Sequence, residues 1–183
     1  TPTAYVETYG CQQNEADSER MRGILKSLGY EITYKEEEAD LLRVNTCAIS
    51  EHAEKRALSI VGRYRHYKAK NPDIVTHTDA VQAFLKIPLS PARLKADLIT
   101  LSAHKIHGPK GVGALFVSGE TVKKKNLSPV IFGGGQEDGL RSGTENLAGA
   151  VGFAKAAEIM KPAMDANCKH MLDVSLYAIE KIT

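Results

Sequence analysis

Net charge is nearly absent from this sequence: 24 Lys and Arg against 22 Asp and Glu in 183 residues leave a formal charge of +2. That balance gives no electrostatic footing for nucleic acid or an anionic membrane surface. No apolar run approaches the roughly 20 residues needed to span a bilayer. No charged start followed by an apolar stretch marks an export signal. Cysteine is scarce: Cys11, Cys47 and Cys168 stand far apart. An odd, sparse set without a Cys-x-x-Cys pair argues against a disulfide framework and against a self-contained zinc knuckle. These absences point to a reducing cytoplasm. Internal repeats and low-complexity linkers are missing too. What is present, 43% hydrophobic and 25% charged residues, is the composition of a globular protein. The length suits one ordinary domain or two small ones.

The chain changes texture near residues 73–77. Before that point strand and helix alternate. Residues 3–8 (TAYVET) read as a strand rich in β-formers. Asn14 is placed to cap a helix, with Glu15 and Asp17 in its first turn where the dipole favours them. Met21, Ile24, Leu25 and Leu28 recur at helical spacing, and Gly29 can stop the helix. Short strands are expected at 30–34 and 41–45, and a helix over 50–69 that Asn71-Pro72 ends. This is the pattern of a small α/β layer with a mostly parallel sheet. After the change, 73–77 (DIVTH), 97–101 (DLITL) and 112–117 (VGALFV) read as strands. Gly-rich polar stretches follow, then one long helix from about 145, which Pro162 should kink or break.

Cys11 follows the first strand and Cys47 the third. In a parallel α/β sheet such loops share the edge where ligands bind, so the two thiols can meet. Thiolates favour soft metals and iron–sulfur clusters; two buried structural cysteines are the other reading. The flanking motifs YVETYGCQQNEADSERMRGILKSLGYE and EEADLLRVNTCAISEHAEKRALSIVGRYR resemble the N-terminal domain of radical-SAM tRNA methylthiotransferases, the branch acting on isopentenyladenosine. The resemblance covers residues 3 to about 75. It implies that Cys11 and Cys47 are two of three ligands to an auxiliary [4Fe-4S] cluster. The third is expected near 77–82, where HTDAVQ carries His77 but no cysteine. Asn45 and Thr46 belong to the motif as loop geometry. Cys168 matches no position and reads as a core or surface thiol.

Chemistry at an amino acid's Cα or side chain can use pyridoxal 5'-phosphate (PLP) as electron sink. The protein then supplies a lysine for the Schiff base, an acid for the pyridine nitrogen, donors for the phosphate and one for the phenolate. SAHKIHGPKG offers such a setting. Ser102 and His104 precede Lys105, and Gly108, Gly111 and Gly113 allow tight turns. Lys105 follows an apolar strand, so its amine can be partly desolvated, which lowers a lysine pKa. A solvated surface charge is the plainer reading of any lysine.

HTDAVQAFLKIPL, DLITLSAHKIHGPKGVGALFV and GGGQEDGLRSGTENLAGAVGFAKAAE, taken together, resemble class V aminotransferase-fold enzymes, specifically cysteine desulfurases, over about residues 76–160. The resemblance implies Lys105 as the Schiff-base lysine, Asp79 on the pyridinium nitrogen and Gln82 on the phenolate. Ser102 and His104 would take the phosphate, and Thr144 the phosphate of the other subunit in a homodimer. L-Cysteine, or tRNA for the first part, are partners only by resemblance. Arg141 is expected to shape the RSGT loop; His107 and Lys110 are loop positions. A ring-stacking histidine, a mobile-loop cysteine and a carboxylate-binding arginine are not recognisable. The expected protein is thus α/β: a small parallel-sheet layer (1–74) joined to a partial PLP-dependent transferase (fold type I) core (75–183) with a long C-terminal helical region. It would bind PLP and be catalytically incomplete. A cluster-binding part of a tRNA methylthiotransferase and a non-catalytic α/β remnant are the alternatives.

Overall fold

The computed structural model describes residues 1–9, 12–46, 59, 63–64, 66–70, 72–125 and 127–182. The chain divides into two compact units, Thr1–Ile74 and Val75–Thr183.

In the first unit, β1 (Thr3–Tyr9) is central in a parallel sheet of order β2-β1-β3, with β2 at Glu31–Ile32 and β3 at Leu41–Thr46. Its alternation sorts the residues by face. Ala4 and Val6 are buried on the side of α1 (Gln12–Ser27), where Arg22 Nη2 also donates to the Val6 carbonyl at 3.1 Å. Tyr5, Glu7 and Tyr9 alternate to the other side. There the Tyr9 hydroxyl is bonded to Glu7 Oε1, and burial, then that bond, pushes its phenol up to about 12. Arg63 lies 3.6 Å from Glu7 and 3.3 Å from Glu36.

Asn14 does not cap α1. The helix starts two residues earlier, at Gln12, and Asn14 Nδ2 donates to Asn45 Oδ1 at 3.2 Å. Asn45 in turn donates to the Asn14 carbonyl at 2.8 Å and to Ser18 Oγ at 3.0 Å. Ser18, fully buried, also accepts from Thr8 Oγ1 at 2.7 Å. Asn45 is therefore a strand residue that ties α1 to β1 and β3, not loop geometry. Buried polar groups are costly when orphaned. Asn45→Ala is thus expected to destabilise the first unit by about 1–3 kcal/mol, read as a lower urea midpoint.

Gly29, at φ +89, closes α1 as expected, with its N–H on the Lys26 carbonyl at 3.0 Å. The expected strand 30–34 shrinks to two residues. Of the helix expected over 50–69, residues 59, 63–64 and 66–70 are described, all helical.

In the second unit, β4 (His77–Asp79) pairs in parallel with β5 (Leu98–Ser102), which pairs antiparallel with β6 (Gly113–Val117). The strand expected at 73–77 thus lies at 77–79. A parallel pair needs a crossover, and residues 80–97 supply it, including α2 (Pro91–Leu94), with Pro at its start and Lys95 left-handed at its end. Ala80, Ala96 and Ile99 form the buried core with Ala83, Leu89 and Leu101 against it. Burying a side chain the size of Ile99 contributes about 1.5–3 kcal/mol.

A short helix α3 (Gly119–Lys123) follows β6, capped by Ser118 Oγ on the Thr121 N–H. Helix α4 runs without interruption from Leu147 to Ile182 with Pro162 inside it, so that proline does not break the helix. Asn146 Oδ1 accepts from the Gly149 N–H at 3.0 Å and caps its start. Phe153 on α4 meets Phe84 edge-on at 6.1 Å, and Cys168 Sγ donates to the Lys86 carbonyl at 2.6 Å. The crossover segment after Asp79 is thereby tied to α4. No helix among the described residues is long and apolar enough to cross a membrane.

Candidate active site

The site is built on the strand ends of β4 and β5. Their register pairs Asp79 with Thr100, so Asp79 ends β4 two residues short of where Ser102 ends β5. Side chains of register partners share a face. His77 and Asp79 therefore stand with Thr100 and Ser102 on one face, while Thr78, Ile99 and Leu101 turn to the core. Exposure agrees: His77 and Asp79 are exposed, and Ile99 is buried.

Beyond Ser102 the chain makes a 3-10 turn, Ala103–Ile106. Ala103 and Ile106 are fully buried and anchor both ends of the turn. His107, left-handed at φ 65, reverses the chain, and the Gly108 N–H closes on the Ala103 carbonyl at 2.9 Å. Lys105 is held between these anchors, half-buried. Its amine has no hydrogen-bond or ion-pair partner among the described residues. On the same turn Ser102 Oγ and His104 Nδ1 are 2.7 Å apart. A side chain at Gly152 of α4 would come within 2.6 Å of Pro109, so the helix packs closely on the loop that follows Lys105.

Asp79 Oδ1 accepts from the Val81 N–H at 3.0 Å, a bond within its own turn that orients the carboxylate. Asp79, Ser102, His104 and Lys105 are thus brought to one edge of the sheet. Gln82 lies three residues beyond Asp79, exposed, with Oε1 accepting from Lys86 Nζ at 3.3 Å. Thr144 is exposed in the loop before α4. That loop is organised by Gln136, whose Oε1 accepts from the Gly143 N–H at 3.0 Å, and by Arg141, which donates to the Ser142 carbonyl at 3.3 Å. Gln136 carried no signal in the sequence. Thr100 and His77 could have been found from their parity with Asp79, but only once the register was known.

A partnerless amine, a hydroxyl and an imidazole on its turn, and a carboxylate on the adjacent strand end form a donor set that fits a phosphorylated aldehyde with a basic ring nitrogen. Among the described residues no group of three His, Cys, Asp or Glu could hold a metal ion. Cys11 and Cys47 lie outside the described residues.

Comparison with known proteins gives this geometry a lineage. Residues 33–183 match the family Aminotransferase class-V. The chain is 38% identical over 170 residues to the cysteine desulfurase IscS of Dictyoglomus turgidum, covering 86% of this chain and 42% of that protein. It is 34% identical over 169 residues to the mitochondrial cysteine desulfurase of Saccharomyces cerevisiae, covering 86% and 33%. A solved NifS-like protein superposes with a TM-score of 0.75 at 29% identity, over 99% of this chain and 52% of that one. The chain thus spans about two-fifths or less of these curated relatives. The family match begins at residue 33 and the NifS-like structure covers nearly the whole chain, so both run across the segment expected to be methylthiotransferase-like. They carry the desulfurase part of that expectation and not the methylthiotransferase part. The in-register pairing that sets Asp79 beside the Lys105 turn, and a family match over most of the length, lead to one conclusion: this chain belongs to the class V aminotransferase family.

Proposed function

We propose that the chain is a PLP-binding portion of a cysteine desulfurase-like protein, with Lys105 as the residue that bonds the cofactor aldehyde. The carrying observation is the β4–β5 register, which brings Asp79 to the same sheet edge as Ser102, His104 and the half-buried Lys105. When bound, PLP supplies an electron sink for bond breaking at an amino acid. The chain's own residues hold it. Asp79 would pair with the ring nitrogen in a charge-assisted hydrogen bond and keep it protonated. Ser102 Oγ and the His104 imidazole, already 2.7 Å apart, converge on the phosphate. Gln82 would donate to the phenolate oxygen, and Thr144 would serve the phosphate site of a second copy in a homodimer. L-Cysteine is the substrate in view: the relatives above are cysteine desulfurases, and a solved structure titled SspA in complex with cysteine superposes with a TM-score of 0.62 at 27% identity. The chain spans only part of those relatives, and cofactor binding is the step proposed for it.

Reductive trapping tests this. The chain is incubated with PLP, reduced with borohydride and mapped by peptide mass. The expected outcome is one label per chain, on Lys105. Label spread over surface lysines would overturn the assignment.

A second reading concerns the first unit, as a methylthiotransferase-like segment joined near residue 75. Register places Tyr9 against Thr46 at the ends of adjacent parallel strands, and Cys11 and Cys47 follow two residues and one residue later in the sequence. Cys11 and Cys47 lie outside the described residues, and two cysteines fall short of the three ligands that the cluster takes. Iron and sulfide analysis after anaerobic reconstitution is expected to give well under one cluster per chain. A stoichiometric cluster that is lost in Cys11→Ala and Cys47→Ala would establish the [4Fe-4S] function instead.

A further inference from the structure

β4 is three residues long, and the position of Asp79 depends on what ties so short a strand to β5. At its start the Thr76 N–H and Oγ1 both donate to Asp97 Oδ2 at 2.8 Å. At its end the Ala80 N–H donates to the Thr100 carbonyl at 3.0 Å. Between them, on the exposed face, His77 Nε2 and Thr100 Oγ1 stand 2.7 Å apart. Thr100 is the register partner of Asp79, and His77 precedes Asp79 by two residues on the same face. Thr100 therefore stands opposite Asp79 in the ladder, and its hydroxyl is bonded diagonally to the imidazole two residues before Asp79.

We propose that His77 and Thr100 are a positioning pair for Asp79: a side-chain brace across β4 and β5 that sets where the carboxylate meets a bound pyridine ring. The inference rests on the reading of Lys105 and Asp79 given above. As a positioning pair, both residues would act on a bound cofactor through Asp79. An exposed hydrogen bond contributes little to global stability. Its geometric effect is larger where it matters, because small displacements of an orienting group weaken a contact that needs alignment. The strand ladder alone leaves the β4 side chains free to splay; the brace ties one of them to the rung on which Asp79 stands.

The test uses the full chain loaded with PLP and two readouts, the dissociation constant of the cofactor and the visible circular dichroism of its bound band. That dichroism reports how asymmetrically the ring is held. Thr100→Val and His77→Phe are expected to weaken PLP binding about threefold to tenfold and to diminish the dichroic band. The urea midpoint should move little. Thr100→Ser, which keeps the hydroxyl, is expected to restore both readouts. Unchanged dichroism and affinity in Thr100→Val, or equal losses in Thr100→Ser and Thr100→Val, would overturn the brace while leaving the lysine site standing. A wild-type chain with no lysine-bound band would overturn the site and the brace with it.

Discussion

Replacing Lys105 with alanine is expected to abolish the visible absorbance band of the PLP-loaded protein and to remove the borohydride-trapped label altogether. The reason lies in the 3-10 turn. Ala103 and Ile106 are fully buried on either side, so the backbone of the turn survives loss of the lysine side chain, and only the amine disappears. That amine is half-buried and has no hydrogen-bond or ion-pair partner among the described residues, so no existing contact there competes with its bond to an aldehyde. The contacts from Asp79, Ser102 and His104 remain in the variant, so PLP should still bind, with affinity lower by about tenfold or more, or at least about 1.4 kcal/mol. Far-ultraviolet dichroism is expected to be unchanged. A band that persists in Lys105→Ala, carried by a neighbour such as Lys110, would remove the central residue from the proposal.

The second large effect is steric. Gly113 opens β6 opposite Ser102, and a Cβ there would lie 2.6 Å from the Leu101 carbonyl oxygen and 3.7 Å from the Ser102 Cα. Those are backbone atoms of the strand that leads into Lys105, and they cannot rotate away. Gly113→Val must push β6 off β5 at the rung of Ser102, a proposed phosphate donor. The expected cost is about 1–3 kcal/mol or more, with PLP affinity falling in the same variant because Ser102 and the Lys105 turn shift together. Gly119→Ala is the control: nothing lies within 4 Å of a Cβ there, and its effect should stay within about 0.5 kcal/mol. Urea unfolding and cofactor titration of the two variants separate packing from chemistry. Equal behaviour of the two would mean that the close approach at Gly113 does not constrain the site.

Particular elements show what local sequence can and cannot decide. TAYVET, LLRVN, DLITL and VGALFV carry enough β-branched and apolar residues to declare themselves as strands, and the observed β1, β3, β5 and β6 lie over them. DIVTH looked equally strand-like, yet the pairing falls on His77–Asp79. There the hydrogen bonds to Leu98–Thr100 decided, and the short run of β-formers did not. Asn14 had every mark of a helix cap, but the Asn45 side chain, 31 residues away, claims it. Pro162 should interrupt a helix by losing one hydrogen bond and crowding the preceding turn. The helix formers on both sides carry α4 past it over 36 residues.

Composition and motif by themselves determined that this is an α/β chain with a lysine-bearing turn between two strands, because strand propensity, glycine-permitted reversals and the order SAHKIHG are local properties. Tertiary structure alone decided that Asp79 and the turn carrying Lys105 come to one edge of the sheet. Backbone donors and acceptors are the same at every residue, so nothing in either strand taken alone names its partner rung. The rung is set by which side chains the core accepts, Thr78 and Ile99 inward and Asp79 and Thr100 outward, and that choice requires both strands to be folded against the same neighbours.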